Sequence, residues 1–220
     1  MLAIDTCLQS CGAAILDGEN VLARLVEPRE RGHAERLAPL VSEALTATAF
    51  RVADLTKVIV TIGPGSFTGV RLGLAFARGL AIGRDLPVIG ISTLQALAVS
   101  HPVEGQGKKI VLIDARRGQV YGQTFDYFGQ PTQDAFALSP EEAASCLPEP
   151  DALSEYALIG SGVPLVFPDL AERESWRSQQ PDPVAMAMLG AHMQIPDTAP
   201  SALYLRAADA TPASSSSFIG

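Results

Sequence analysis

An internal repeat limits most strongly how this chain can fold. The stretch "VLIDARRGQVYGQTFD" (111–126) aligns without a gap with "LAIDTCLQSCGAAILD" (2–17), which matches Asp5 to Asp114 and Asp17 to Asp126. Each copy predicts a strand ending in Asp, a tight turn and a second strand. Duplication of one lobe explains this pattern, and a chance similarity between two hairpins is the alternative.

Strands and helices alternate in the first half of the chain, which predicts an α/β fold. We expect strands over 2–6, 11–16 and 21–26, with Asp17-Gly18 as a hairpin turn. Apolar residues at helical spacing follow in "RGHAERLAPLVSEALTATAF" (31–50), and Pro39 predicts that this first helix starts near Glu35 or bends. A strand "KVIVTI" (57–62), a second helix from Phe67, a strand "PVIGI" (87–91) and a helix capped by Ser92 come next.

The second half is expected to form a smaller lobe. "VEGQGKK" (103–109) predicts a linker, because periodicity is lost among Gly and charged residues. A helix capped at Ser139, a strand "ALIGSG" (157–162) and a helix around 182–193 follow. We predict an N-terminal lobe over 1–104 and a C-terminal lobe over 105–210, whose last segment packs back on the first lobe. A flexible tail follows at 211–220.

Composition excludes several functions. The 220 residues are 47% hydrophobic, but no apolar stretch reaches the roughly 20 residues of a membrane span, and the N-terminus lacks a basic flank. We therefore expect a cytoplasmic protein with no membrane role. The net charge of -8 disfavours independent binding to nucleic acid. Neither the three cysteines nor the three histidines have metal-site spacing, so we expect no metal and no cofactor.

The loop "GPGSFTG" (63–69) has the glycine content of a phosphate site but matches neither common phosphate-binding motif. It lacks the lysine of a Walker A loop, and Thr68 replaces the third glycine of a dinucleotide fingerprint. A sharp turn after a strand, with Ser66 capping the next helix, explains the loop better. Helix N-termini attract anions in general, so the signal for an anion here is weak.

The helix from Phe67 to Gly83 is apolar over more of its circumference than one sheet can cover. Its strongly polar residues Thr68, Arg71 and Arg78 lie on one narrow stripe. Small residues recur at i+4 and form a ridge, which we define as Gly69, Gly73, Ala77 and Ala81. A helix of another molecule, or the first helix and sheet of the same lobe, can fill it. We expect a helix of another molecule. Charged substitutions at Gly73 or Ala77 should then abolish pairing with that molecule and leave the monomer folded.

The motifs together resemble the TsaB (YeaZ) family of tRNA threonylcarbamoyladenosine biosynthesis proteins. The resemblance rests on "AIDT" (3–6), "GHAERLAPLV" (32–41), "GPGSFTGVRLGLAFARGLA" (63–81), "GISTLQALA" (90–98), "IDARRGQVY" (113–121) and "ALYLR" (202–206). It implies an actin-like ATPase (RNase H-like) fold with two duplicated lobes of mixed sheet and helices. It also implies a noncatalytic subunit that pairs with the metal-bearing transferase TsaD, recruits the ATPase TsaE and meets tRNA only through the complex.

In this family the first two helices of the N-terminal lobe form the contact with TsaD. Carried over to this sequence, with Gly69, Gly73 and Ala77 of the ridge added, the interface comprises His33, Glu35, Leu37, Leu40, Val41, Leu45, Phe67, Thr68, Gly69, Val70, Arg71, Gly73, Leu74, Ala77 and Arg78. The apolar character of this face also predicts a homodimer when the chain is alone.

Active members of the superfamily hold magnesium and phosphate near an Asp in each hairpin. The corresponding vestigial nucleotide site comprises Asp5, Thr6, Asp114, Gly160 and Gly162. The loop after Asp5 lacks a phosphate cradle, so the two aspartates are alternatively strand-end residues that accept turn amides. An ATP-binding ATPase or kinase is the rival to the scaffold hypothesis. A peptidase is disfavoured, because neither paired metal histidines nor a Ser-His-Asp set is evident.

Overall fold

A computed structural model describes residues 1–102, 107–170 and 180–206. Its first mixed sheet has the order β3-β2-β1-β4-β5. The strands are β1 (Leu2–Asp5), β2 (Ser10–Asp17), β3 (Asn20–Pro28), β4 (Val58–Thr61) and β5 (Val88–Ile91). Strand β2 is antiparallel to its neighbours β1 and β3, whereas β4 and β5 run parallel to β1. Alternate residues of β1 and β4 supply the core on both faces of this sheet.

The second sheet has the order β8-β7-β6-β9. Its strands are β6 (Lys108–Arg116), β7 (Gln119–Phe125), β8 (Phe136–Leu138) and β9 (Tyr156–Ile159). Strand β7 is antiparallel to β6 and β8, and β9 is parallel to β6. The order and the relative directions of these four strands therefore match those of β3-β2-β1-β4 in the first sheet. This correspondence confirms the predicted duplicated two-lobe α/β fold of the actin-like ATPase class.

Six α-helices accompany the sheets within the described ranges: α1 (His33–Thr48), α2 (Phe67–Ile82), α3 (Thr93–Ser100), α4 (Pro140–Cys146), α5 (Val163–Val166) and α6 (Pro183–His192). Short 3-10 helices lie at Val52–Asp54, Pro150–Glu155 and Pro168–Leu170. Helices α1 and α2 pack on one face of the first sheet, and α6 contributes Met186 and Ala187 to the core on its other face. None of the described helices is long and apolar enough to cross a membrane.

The gapless alignment of the two hairpins is wrong by one residue. Asp5 lies opposite Gly12, seven positions later, whereas Asp114 lies opposite Val120, six positions later. Strand β6 has a bulge between Asp114 and Arg116, and Arg116 then pairs with Gln119. The residues between them, Arg117-Gly118, have the positive φ values of a two-residue hairpin turn. The second turn is thus tighter than the first.

Two other expectations require correction. Helix α1 begins at His33, before Glu35, because Gly32 takes the left-handed conformation at the cap without a side-chain hydrogen bond. Pro39 lies inside α1 and is exposed, and the N–H that it lacks would have bonded to the Glu35 carbonyl. Lys108 and Lys109 belong to β6 and not to a linker. Residues 103–106 lie outside the described ranges, so the lobe boundary at 104 stays a prediction.

The predicted caps are confirmed. Ser66, Ser92 and Ser139 accept backbone N–H bonds at the starts of α2, α3 and α4, and Glu142 completes a capping box with Ser139. The hairpin turn after Asp17 is also present, with Gly18 at positive φ. The predicted flexible tail at 211–220 lies outside the described residues.

Candidate functional site

Asp5, at the end of β1, is enclosed by its own turn and by the end of β4. Its carboxylate accepts hydrogen bonds from the Thr61 hydroxyl at 2.6 Å, the Cys7 amide at 3.1 Å and the Ser10 hydroxyl at 3.4 Å. The side chain is 1% exposed, and burial raises the pKa of its carboxyl despite these donors. Asp5 therefore acts here as a strand-end acceptor, the second of the two roles considered above.

The remaining residues of the predicted nucleotide site serve packing or their own turns. The Thr6 hydroxyl donates to the Gly69 carbonyl at 2.7 Å, which ties β1 to the start of α2. Asp114 accepts the Arg116 amide at 2.7 Å and forms an ion pair with the Arg116 guanidinium at 3.2 Å. Gly160 and Gly162 lie against the backbone of β6, where a Cβ at Gly160 would collide with the Leu112 carbonyl and one at Gly162 would lie 3.0 Å from the same group. Of these five predicted residues only Asp114 lines the cleft described below.

The ridge of α2 faces the chain's own sheet. A Cβ at Gly69 would collide with the Thr6 carbonyl, and one at Gly73 would meet the Thr6 hydroxyl at 2.8 Å and Val60 at 3.3 Å. Ala77 is fully buried, and Ala81 packs against the same core. The expectation that a second molecule fills the ridge is therefore wrong. Charged substitutions at Gly73 or Ala77 would disrupt the monomer itself.

The predicted interface residues divide into a buried and an exposed set. Core positions of the first lobe are occupied by Leu37, Leu40, Val41, Leu45, Gly69, Val70, Gly73, Leu74 and Ala77. His33 is half-buried, with Nε2 lying 3.2 Å from the Leu8 carbonyl oxygen. The surface holds Glu35, Phe67, Thr68, Arg71 and Arg78. Only His33 and this exposed set can touch a partner without rearrangement of the lobe.

We define the exposed stripe of α2 as Phe67, Thr68, Arg71, Ala75, Arg78, Gly79 and Ile82, which recur at three- and four-residue spacing. Phe67 is 57% exposed, and the Arg71 guanidinium lies 3.7 Å from the centre of its ring. Neither Arg71 nor Arg78 forms an ion pair with a carboxylate among the described residues. The stripe thus combines apolar surface with two guanidinium groups available to an acidic partner.

A segment near the C-terminus, residues 200–206, lies along this stripe, and we name it the strap. The Leu203 amide donates to the Ile62 carbonyl at 2.8 Å, and Ala202 packs against the first core. The Tyr204 ring contacts the Phe67 ring, with ring centres 6.0 Å apart and ring planes tilted by 31°. The sequence-based site prediction omitted the strap, although "ALYLR" contributed to the family resemblance.

A cleft of about 1240 Å³ lies between the lobes. Its lining includes Arg31, His33 and Phe67 from the first lobe, Asp114 and Ser161 from the second, and Tyr204 from the strap. No group of three or more potential metal ligands occurs within the described part of the chain. The cleft is wide enough for a small molecule, since ligand pockets commonly measure about 300–1,000 Å³.

The family model described as "TsaD: tRNA N6-adenosine threonylcarbamoyltransferase" matches residues 21–195. Two solved structures from Pseudomonas aeruginosa share the fold. One is YeaZ, with a TM-score of 0.72, 26% identity and coverage of 86% of this chain and 90% of that one. The other, a protein with similarity to peptidase YEAZ, has a TM-score of 0.74, 25% identity and coverage of 93% and 98%.

The fold and the family model define a protein with the actin-like ATPase fold, within the family of that transferase model. The Escherichia coli K12 protein TsaB is 34% identical over 180 residues, or 78% of this chain and 75% of that protein. TsaB of Bacillus subtilis 168 is 37% identical over 127 residues, and the alignment spans about half of each protein, 58% and 55%. The chain therefore belongs to the TsaB family, also called YeaZ.

Proposed function

We propose that this chain is a noncatalytic subunit in the synthesis of N6-threonylcarbamoyladenosine in tRNA. The observation that carries the proposal is the 34% identity to a tRNA threonylcarbamoyladenosine biosynthesis protein over most of the chain. The enclosed Asp5 supports the noncatalytic role, because a carboxylate held by three donors of its own lobe is poorly placed to order magnesium. In this proposal the chain acts in the cytoplasm.

The partner in this proposal is a transferase of the TsaD type, with TsaE joining the pair. The exposed stripe of α2 supports a protein partner, because it presents an aromatic ring and two arginines without described carboxylate partners. Aromatic and arginine side chains dominate the binding energy of many protein interfaces. Net charge of -8 disfavours direct contact with tRNA, so in this proposal the complex as a whole holds the tRNA.

A reconstituted reaction tests the function directly. Cognate TsaD, TsaE, tRNA and an enzymatic source of the threonylcarbamoyl adenylate are incubated with and without this chain, and modified nucleoside is quantified by mass spectrometry. We expect product to fall to background when only this chain is omitted. Undiminished modification without it would reject the proposal.

A pair of matched variants tests the proposed surface. Phe67→Ala should weaken binding to TsaD by about tenfold or more, since truncation of an aromatic anchor commonly costs over about 1 kcal/mol. Phe128→Ala is the control, because Phe128 is 75% exposed on the second lobe and outside the proposed surface. Binding is measured by calorimetry. Equal affinities of both variants would remove α2 from the interface.

Nucleotide binding is a second candidate function, and the interlobe cleft favours it. Asp114 and Ser161 line this cleft, where a carboxylate can bind magnesium and a hydroxyl can donate to a phosphate oxygen. Asp114 is, however, already paired with Arg116, and magnesium would have to compete with that guanidinium. Titration of the isolated chain with ATP and magnesium separates the two functions. The scaffold proposal expects no tight binding, whereas micromolar affinity would favour the nucleotide-binding alternative.

A further inference from the structure

Both arginines of the exposed stripe of α2 donate to the strap. Arg71 Nε lies 3.1 Å from the Tyr204 hydroxyl, and Arg78 Nη2 lies 2.6 Å from the Pro200 carbonyl. These contacts use one N–H of each guanidinium, which carries five. The strap therefore fixes the direction of both side chains and leaves most of their donors available.

The strap is itself firmly attached to the first lobe. Ala202 lies against the first core, and the Leu203 amide bonds to the Ile62 carbonyl at 2.8 Å. Leu205 packs on the cluster formed by Leu94, Leu97 and Ile113, which joins the two lobes. A partner that approaches α2 would have to break these contacts to displace the strap, so it is expected to meet the strap in place.

Tyr204 and Phe67 form one exposed apolar surface. Tyr204 is 51% exposed and Phe67 is 57% exposed, and the Arg71 guanidinium lies beside this pair of tilted rings. Aromatic rings next to an ordered arginine lose little conformational entropy when they are buried, which makes such clusters effective anchors.

The charge of this surface identifies the chemistry of its partner. Arg71 and Arg78 are seven residues apart, which separates them by about 10 Å along the helix. Neither forms an ion pair with a described carboxylate, although the chain carries a net charge of -8. A complementary protein surface would offer an apolar recess for the two rings and carboxylates at this separation.

We propose that the strap forms half of the partner-binding surface of this chain, with Tyr204 as a direct contact and as the positioning residue for Arg71. The proposal rests on the proposed function, since it takes the TsaD-type transferase as the partner. It adds a segment more than 100 residues away in sequence from α2, and it requires an acidic rim on that partner.

The test compares two tyrosines of similar exposure by calorimetric titration with the cognate transferase. Tyr204→Ala should weaken binding by roughly tenfold or more, because it removes both the ring and the hydroxyl that orients Arg71. Tyr204→Phe should restore most of this loss, since only the hydroxyl is missing. Tyr127→Ala is the control, because Tyr127 is 42% exposed on the second lobe. Wild-type affinity should fall as salt is added.

Hydrogen exchange of the wild-type chain provides a second measurement. Peptides covering residues 201–206 should exchange more slowly in the complex than in the free chain. If Tyr204→Ala folds and binds like wild type, the proposal is overturned. If that variant does not fold, exchange decides: slower exchange supports the proposal and unchanged exchange overturns it. If wild type does not bind the transferase at all, the proposed function fails and this proposal fails with it.

Discussion

At the scale of single residues, Asp5 lies in an environment that disfavours its charge. Burial is the dominant cause of its raised pKa, and the three hydrogen-bond donors around it offset this only in part. In the unfolded chain the same carboxyl titrates near the ordinary value of about 3.9. Above that pH the folded state binds more protons than the unfolded state, so stability contributed at this site is lost as pH rises through the folded pKa.

Asp5→Asn should remove this loss. The free energy of unfolding of the variant relative to wild type should increase from acidic to neutral pH, because only wild type carries the penalty of a buried charge. Urea denaturation of both proteins across this range measures the difference. Asp197→Asn, at an exposed aspartate, is the control and should parallel wild type. A constant difference between Asp5→Asn and wild type would contradict the raised pKa.

The three cysteines should differ sharply in reactivity. Burial raises the pKa of the Cys7 thiol to about 12 and that of the Cys11 thiol to about 11, whereas Cys146 is exposed at the end of α4. Thiolates are the nucleophiles in alkylation, so iodoacetamide at neutral pH should label Cys146 alone in the folded chain. Peptide mass spectrometry identifies the site. Labelling of Cys7 under native conditions would show that the turn around Asp5 opens readily.

At the scale of secondary structure, the local sequence predicted most helices and strands well, but it did not predict which elements pack against them. Ser66 and Ser139 were identified as caps because hydroxyl side chains near a following helix satisfy its free amides. The start of α1 was missed because Gly32 caps through backbone conformation and leaves no side-chain signal. The ridge was assigned to another molecule because amphipathicity gives the width of an apolar face but not the element that covers it.

Two glycines of α2 provide a matched test of the ridge. Gly69→Ala should destabilise the fold by at least about 1–3 kcal/mol, because the added methyl collides with the Thr6 carbonyl of β1. Gly79→Ala should stabilise it by about 0.5–1 kcal/mol, because nothing lies within 4 Å of that position and alanine favours helix. Thermal or urea unfolding of both variants measures the effect. A neutral Gly69→Ala would mean that α2 does not pack on β1.

At the scale of the whole molecule, the duplicated lobes could be predicted from the sequence, but the position of the strap beside α2 could not. Matching Asp5 with Asp114 was enough to infer two related hairpins, because the repeat encodes strand, turn and strand in the same order. The last segment was expected to pack back on the first lobe, but residues 200–206 have no helix or strand periodicity that would place them beside α2. Its placement depends on tertiary contacts such as the hydrogen bond between Leu203 and Ile62.

Net charge separates the two assemblies in which the exposed stripe of α2 is predicted to take part. A homodimer brings together two chains that each carry -8, so its formation is opposed by repulsion that salt screens. The proposed complex with the transferase gains attraction between Arg71, Arg78 and acidic groups, and salt weakens it. Homodimerisation should therefore strengthen with ionic strength, in the opposite direction to heterodimer formation.

Sedimentation equilibrium of the isolated chain at about 0.05 M and about 0.5 M NaCl tests this salt dependence. The Debye length is above about 10 Å at the lower concentration and well below about 10 Å at the higher one. We expect a larger dimer fraction at high salt. Phe67→Ala should reduce that fraction and Phe128→Ala should leave it unchanged, since only Phe67 lies on the stripe. Dimers that dissociate in high salt would instead require ion pairs between the two copies and would contradict this prediction.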